Sequence, residues 1–199
     1  MSEKKKITLN RRFVVSRLVR DRGDTLFVTG LGSTTWDAAA AGDHRNNFYL
    51  WGGMGGAAAT GLGLARAQPG RRVVVLTGDG EMLMGIGTLA TIAVVAPANL
   101  AVCVIDNQRY GETGMQETHT GHGVDLAAMA AGAGFALTQT IWTTKDLEAA
   151  IPHIYETEGP VFVDIKVNTD HVPMVLPMRD GTAIRGRFRE AVLGERAYD

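Results

Sequence analysis

Two short runs of branched apolar residues constrain this chain more than any other feature. Arg71-Arg72-Val73-Val74-Val75-Leu76-Thr77 and Leu100 to Ile105 have the unbroken apolar character of strands buried on both faces, the signature of a parallel sheet. Each run stops at polar residues. The first ends at Gly78-Asp79-Gly80 and the second at Asp106-Asn107-Gln108-Arg109-Tyr110-Gly111. Neighbouring parallel strands would bring both tips to one carboxyl edge, where open α/β sheets bind ligands.

The residue types at those tips suggest the chemistry. Asp79 offers a hard carboxylate oxygen and Asn107 a neutral amide oxygen. With a loop carbonyl and phosphate oxygens they suit octahedral Mg²⁺, which keeps few protein ligands and shares phosphates. Gly78 and Gly80 let the backbone approach phosphates, with N–H groups at a helix start facing the anion. A lone Gly-Asp-Gly is common in turns, and Asp79 by itself reads equally as a turn residue or helix cap. The coupled pattern is more specific: Gly-Asp-Gly, 26 residues from Glu81 to Asp106, then Asn107 leading into Tyr-Gly.

That coupled pattern resembles the diphosphate-binding motif of thiamine-diphosphate enzymes. Leu50-Trp51-Gly52-Gly53-Met54-Gly55 resembles the turn that holds the aminopyrimidine ring, and Thr29-Gly30-Leu31-Gly32-Ser33 the first phosphate-side loop. The resemblance runs from about Thr8 to Val167. Tyr110-Gly111-Glu112-Thr113-Gly114-Met115-Gln116 draws it toward the branch of the sulfopyruvate and phosphonopyruvate decarboxylases. It implies a three-layer α/β/α sandwich with a mainly parallel central sheet. It also implies thiamine diphosphate and Mg²⁺ as cofactors, the metal held by Asp79, Asn107 and the carbonyl of Arg109. The cofactor-binding set it implies is Gly30, Ser33, Gly52, Gly53, Met54, Gly78, Asp79, Gly80, Glu81, Asn107, Arg109, Tyr110, Gly111 and Glu112. Met54 becomes the bulky prop for a bent cofactor, although core filler is its plainer reading. The Arg109 side chain is left free for substrate or partner. Two residues depart from the family pattern. Asp106 replaces a commoner Asn, with little consequence expected. Glu81 stands where a small residue is usual, and a carboxylate beside a diphosphate is repulsive unless it points away, caps the helix or meets a cation.

The family's activating glutamate comes from a second thiamine-binding domain that this sequence does not contain. The resemblance therefore implies half an active site. It calls for an α-type partner subunit, a hetero-oligomer built on a dimer, and non-oxidative decarboxylation of a small 2-oxo acid, so that the chain is part of a lyase. Two other readings stay open: the β subunit of a 2-oxoacid:ferredoxin oxidoreductase, and a non-catalytic diphosphate-binding module. The catalytic candidates are His119, His122 and Glu112, in the polar stretch Asp106 to Gly123; long polar loops between buried elements are usually functional or disordered. His119 and His122 read equally as solvated loop residues or as a lid that handles protons or the anionic end of substrate.

Composition narrows the remaining classes. The formal net charge is -1 across 199 residues, which recommends neither nucleic acid nor a membrane surface as partner. Lys4-Lys5-Lys6 reads as a solvated end. The single cysteine, Cys103, lies in an apolar run and reads as core, so neither disulfides nor a cysteine-ligated metal is expected. No signal peptide or membrane span is visible, so a cytoplasmic location is expected.

The pattern predicts one domain over residues 1–199, its core about 8–167 and a tail over 168–199. Helices are expected from Thr8 or Asn10 to Arg20 with Phe13, Val14 and Leu18 inward and arginines outward, from near Trp36 after a Ser33 or Thr34 cap, and over Ala57–Ala67, Met82–Val95, Val124–Ala133 and Lys145–Glu156. Strands are expected at Thr25–Thr29, Asn47–Trp51, Val73–Thr77, Leu100–Ile105, Phe135–Ile141 and Val161–Val167. The small residues of Ala57–Ala67 suggest packing on another helix, and the tail suggests a cover for the site or a wrap around a neighbour.

Overall fold

The computed structural model describes residues 7–199; Lys4-Lys5-Lys6 lies outside them. The strands are β1 (Leu26–Thr29), β2 (Asn47–Tyr49), β3 (Val73–Gly78), β4 (Leu100–Asp106), β5 (Arg109–Tyr110), β6 (Gln116–Glu117), β7 (Leu137–Ile141) and β8 (Val161–Lys166). The helices are α1 (Arg11–Arg20), α2 (Ser33–Ala40), α3 (Ala57–Ala67), α4 (Asp79–Met84), α5 (Thr88–Val95), α6 (Leu126–Ala133), α7 (Thr144–Glu156) and α8 (Gly181–Leu193). Six strands make one sheet in the order β2-β1-β3-β4-β8-β7, and every pairing is parallel. β5 and β6 form a separate antiparallel ribbon.

Parallel neighbours need crossovers, and the helices supply them, which covers both faces of the sheet. Along each strand, alternate residues enter opposite cores. Phe27, Val74, Leu76, Cys103 and Val163 pack with Val14 and Leu18 of α1 and Leu147 of α7. Leu26, Val28, Val75, Val102 and Phe162 pack with Leu62 of α3, Ile92 of α5 and Ala130 of α6. The result is the expected three-layer α/β/α sandwich. A fully buried Val or Leu contributes about 1.5–3 kcal/mol, against roughly 1–2 kcal/mol for ordering one residue's backbone. β3 and β4, almost entirely branched and buried, offset their own ordering and anchor the rest. Cys103 is fully buried, and burial pushes its thiol up to about 12.

Caps explain several boundaries. Asn10 accepts from the backbone N–H groups of Arg12 and Phe13 and starts α1. Thr143 and Asp146 form a capping box on α7. Other expectations are corrected. In α1, Phe13 is exposed and Arg11 is buried, because Arg11 folds onto Asp37. α2 begins at Ser33 with Gly32 as its cap, and the Thr34 and Thr35 hydroxyls donate backward to the Gly30 carbonyl. The single helix expected over Met82–Val95 is two helices. The chain breaks at Gly85, where a Cβ would lie 2.2 Å from the Gly55 carbonyl oxygen. In this chain the second of them, α5, is not buried on all sides, and Val94 is 87% exposed. The basic tail segment from Arg179 folds into α8, capped by Asp180, and sets Phe188 against Phe48 with ring centroids 5.2 Å apart. Among the described residues, no helix is long and apolar enough to cross a membrane.

The small face of α3 packs on another helix, α5, as expected, and also on the chain's own sheet. A Cβ on Gly61 would lie 2.2 Å from Cγ2 of Val75. Alanine there gains about 1 kcal/mol of helix propensity. Overpacking against a stiff β-branched neighbour costs about 1–3 kcal/mol. Gly61→Ala is therefore expected to lower the denaturant midpoint of the chain, and an unchanged or raised midpoint would contradict this packing.

Candidate functional site

All six strands of the sheet point their carboxyl ends the same way, and the loops that leave five of them enclose one cavity of about 430 Å³. Leu31, Ser33 and Trp36 follow β1, and Met54 follows β2. Gly78, Asp79, Gly80 and Glu81 end β3 and open α4. Asn107, Arg109, Tyr110, Gly111 and Glu112 follow β4, and Asn168 to Val172 follow β8. β3 and β4 pair in register to their tips, Gly78 opposite Ile105. This places Asp79 beside the turn that carries Asn107.

Asp79 is buried, and its Oδ2 accepts from Thr118 Oγ1 at 2.5 Å and Thr120 Oγ1 at 3.2 Å. Burial and then the charge of Asp106 push its carboxyl up to about 7, against the opposing effect of those hydroxyls. Asn107 Oδ1 accepts from the Arg109 N–H at 3.0 Å, closing a side-chain turn around Gln108, whose φ is +61°. That left-handed residue is costly for a side chain other than Gly or Asn, and it marks a backbone held for a purpose. The Arg109 side chain is not free as expected: Nη1 lies 2.7 Å from Glu117 Oε1 across the β5–β6 ribbon. Asp106 also departs from expectation. It is fully buried, its Oδ1 accepts from Thr120 Oγ1 and the Gln108 N–H, both at 2.9 Å, and its Oδ2 accepts from Lys166.

Glu81 lines the cavity, and its carboxylate packs against Gly30. Its Oε2 accepts from Thr77 Oγ1 at 2.8 Å, and burial raises its pKa although backbone N–H groups at Ala57, Gly78 and Gly55 oppose this. A Cβ on Gly30 would lie 1.6 Å from Glu81 Oε2, so Gly30 is the residue that admits this carboxylate. Tyr110 lies over Gly80, where a Cβ would meet the ring at 2.5 Å. The Glu112 carboxylate approaches Gly32 at the start of α2. Gly30, Gly52 and Gly53 are not among the residues lining the cavity, and neither are His119 and His122. Those histidines sit in a 3-10 turn beside the ribbon, where His122 Nε2 lies 3.1 Å from Glu117 Oε2.

Several residues at the site escaped the sequence reading. Arg11 lines the cavity, and with Arg12 it grips buried Asp37 at 2.5 and 2.6 Å. The same two arginines donate to the carbonyls of Val172 and Pro173, and Trp51 Nε1 donates to the Met178 carbonyl. The tail thereby forms a strap along the cavity, one of the two roles expected for it. Lys166 and Asp164 in β8 are buried too. Two charged residues alternating through the apolar run Val161-Phe162-Val163-Asp164-Ile165-Lys166 were the available signal.

This fold and edge define an α/β domain with an oxygen-donor, anion-accepting cleft at its carboxyl edge. Residues 30–165 match the family model described as "Thiamine pyrophosphate enzyme, C-terminal TPP binding domain", and the chain belongs to that family. It is 35% identical to the sulfopyruvate decarboxylase subunit beta of Methanothermobacter thermautotrophicus over 94% of this chain and 97% of that one. It is also 35% identical to the phosphonopyruvate decarboxylase of Streptomyces hygroscopicus over 82% of this chain, but spans only 40% of that longer protein. The solved thiamine diphosphate-dependent 4-hydroxybenzoylformate decarboxylase of Rhodococcus jostii RHA1 shares the fold with a TM-score of 0.69 at 19% identity, covering 86% of this chain and 35% of that one. The cavity fits such a cofactor: its donors are a carboxylate, an amide oxygen and backbone groups, a hard oxygen set. No group of three or more His, Cys, Asp or Glu that could hold a metal competes with it among the described residues.

Two outcomes follow. Asp79 and Asp164 are each pushed up to about 7 in the metal-free chain, mainly by burial, whereas an unfolded Asp titrates near 3.9. Between those values the folded chain holds protons that the unfolded chain has released, so these groups make stability fall as pH rises. The metal-free chain is expected to melt at a lower temperature at pH 8 than at pH 5.5, and Mg²⁺ with thiamine diphosphate should narrow the gap; melting that ignores pH would contradict it. Gly30→Ala is expected to lower stability by about 1–3 kcal/mol through the clash with Glu81. Glu81→Ser in the same chain should recover most of that loss in urea unfolding; no recovery would mean that Gly30 is needed for another reason.

Proposed function

We propose that this chain is the β-type, diphosphate-binding subunit of a thiamine-diphosphate- and Mg²⁺-dependent 2-oxo acid decarboxylase, a cytoplasmic enzyme completed by an α-type subunit. The observation that carries this reading is the meeting of Asp79 and the Asn107–Arg109 turn on one cavity at the β3 and β4 tips. Asp79, the Asn107 amide oxygen and the Arg109 carbonyl would hold the cation, and the backbone from Gly78 to Glu81 would face the diphosphate. Met54 is 37% exposed on the cavity wall, which supports its reading as the cofactor's prop. When bound, thiamine diphosphate supplies the nucleophilic carbon and the electron sink that decarboxylation needs.

The chain's own residues do the binding and shaping. The Glu81 carboxylate is engaged by Thr77 and packs beside Gly30. Tyr110 over Gly80 and the strap from Asn168 to Met174 narrow access for water. Arg11 and Arg109 line the cavity beside its carboxylates and offer guanidinium donors that suit a substrate with a second anionic group such as sulfonate or phosphonate. The two relatives named above act, by name, on sulfopyruvate and phosphonopyruvate. The similarity in length to a protein called subunit beta supports an α-type partner carrying the activating glutamate.

The test is to assay the chain alone and with a co-expressed α-type subunit for CO₂ release from sulfopyruvate and phosphonopyruvate, without an electron acceptor. Activity is expected only in the pair. Activity of the chain alone overturns the shared site, and dependence on ferredoxin would favour an oxidoreductase. Asp79→Ala should weaken Mg²⁺–thiamine diphosphate binding by more than about 100-fold in calorimetry, since loss of even a ligand's outer partner costs roughly 10–100-fold.

A further inference from the structure

Lys166 is buried at the carboxyl end of β8, and what it holds leads back to the cavity. β8 pairs with β4 so that Lys166 stands opposite Asp106 and Asp164 opposite Val104. The ammonium donates to Asp106 Oδ2, lies 2.8 Å from Asp164 Oδ2 and sits 5.9 Å from the centre of the Trp142 ring. Asp106 uses its other oxygen on the cavity side, accepting from the Gln108 N–H and from Thr120 Oγ1. Thr120 in turn lies 3.2 Å from Asp79 Oδ2 and 2.9 Å from the Thr118 hydroxyl.

We propose that Lys166 and Asp106 are a matched pair of positioning residues that orient the cation ligands Asp79 and Asn107 without touching the cation. This rests on the reading of Asp79 as a cation ligand. Two hydroxyl protons serve this cluster. Asp106 Oδ1, at 2.9 Å the nearer acceptor, takes that of Thr120, which leaves Asp79 one close donor, Thr118, and an oxygen free of both threonines. The Gln108 N–H bonded to the same carboxylate holds the left-handed turn that aims Asn107 and the Arg109 carbonyl. An asparagine at position 106 could not serve both sides while Lys166 is present. Its one oxygen would satisfy either the ammonium or the Gln108 and Thr120 donors, and its NH₂ would face the other. The pairing therefore accounts for aspartate at 106: the carboxylate accepts on both oxygens.

The test uses the chain co-assembled with its α-type subunit, with Mn²⁺ and thiamine diphosphate, reading cation affinity by electron paramagnetic resonance and folding by thermal melting. Asp106→Asn is expected to weaken Mn²⁺ by about tenfold, within the range for outer partners of metal ligands. Adding Lys166→Met removes the competing ammonium, so the double variant should bind Mn²⁺ about tenfold more tightly than Asp106→Asn alone. Thr120→Val, which cuts the link to Asp79, should weaken Mn²⁺ while the chain still melts cooperatively. Wild-type affinity in Asp106→Asn or Thr120→Val, or a double variant no tighter than Asp106→Asn, overturns the proposal. A wild-type assembly that binds no Mn²⁺ with the cofactor overturns the reading of Asp79 itself.

Discussion

The pairing of β3 with β4 is the constraint on which the rest depends. Six parallel residue pairs, from Val73 with Leu100 to Gly78 with Ile105, carry two buried strands to a common end. A slip of one residue would turn every side chain to the opposite face and part Asp79 from the β4 turn. Apolar burial on both faces makes such a slip expensive. The geometry of a polar site is thus set by hydrophobic packing some distance beneath it.

Charge balance is the second demand of that arrangement. Asp79, Asp106 and Asp164 are buried within one neighbourhood, with Lys166 as the close cation. Three buried carboxylates cannot all stay ionised around one ammonium. Asp106 takes the hydrogen bond, Lys166 is held protonated by its two carboxylates, and Asp79 and Asp164 are pushed up to about 7. Glu81 is accommodated in a similar way: its buried carboxylate fits because position 30 has no Cβ.

Around this centre the chain supplies walls from distant segments. Asp37 gathers Arg11 and Arg12, and those arginines also hold the strap after β8 by its carbonyls. Removing one member of a buried charged cluster typically costs about 3–5 kcal/mol, because the rest is left uncompensated. The strap's place is therefore tied to the first helix of the chain, more than 150 residues earlier in sequence.

Much of this was legible in the amino-acid order. The apolar runs at Val73 and Leu100, the breaks at Gly78 and Asp106, and the glycine-rich turns identified a parallel α/β sheet with a ligand edge, because strand burial and backbone freedom are local properties. Asp79 and Asn107 stood out because each follows a strand directly. The pairing of Lys166 with Asp106, the turn of Glu81 toward Gly30, the clasp of Arg11 on Asp37 and the exposure of Phe13 were decided only in three dimensions. The first three are contacts between segments far apart in the chain, and each concerns where a charged side chain is placed. Local pattern tells which residues are apolar; which charge neutralises which depends on how the layers close, and only the packed fold decides that.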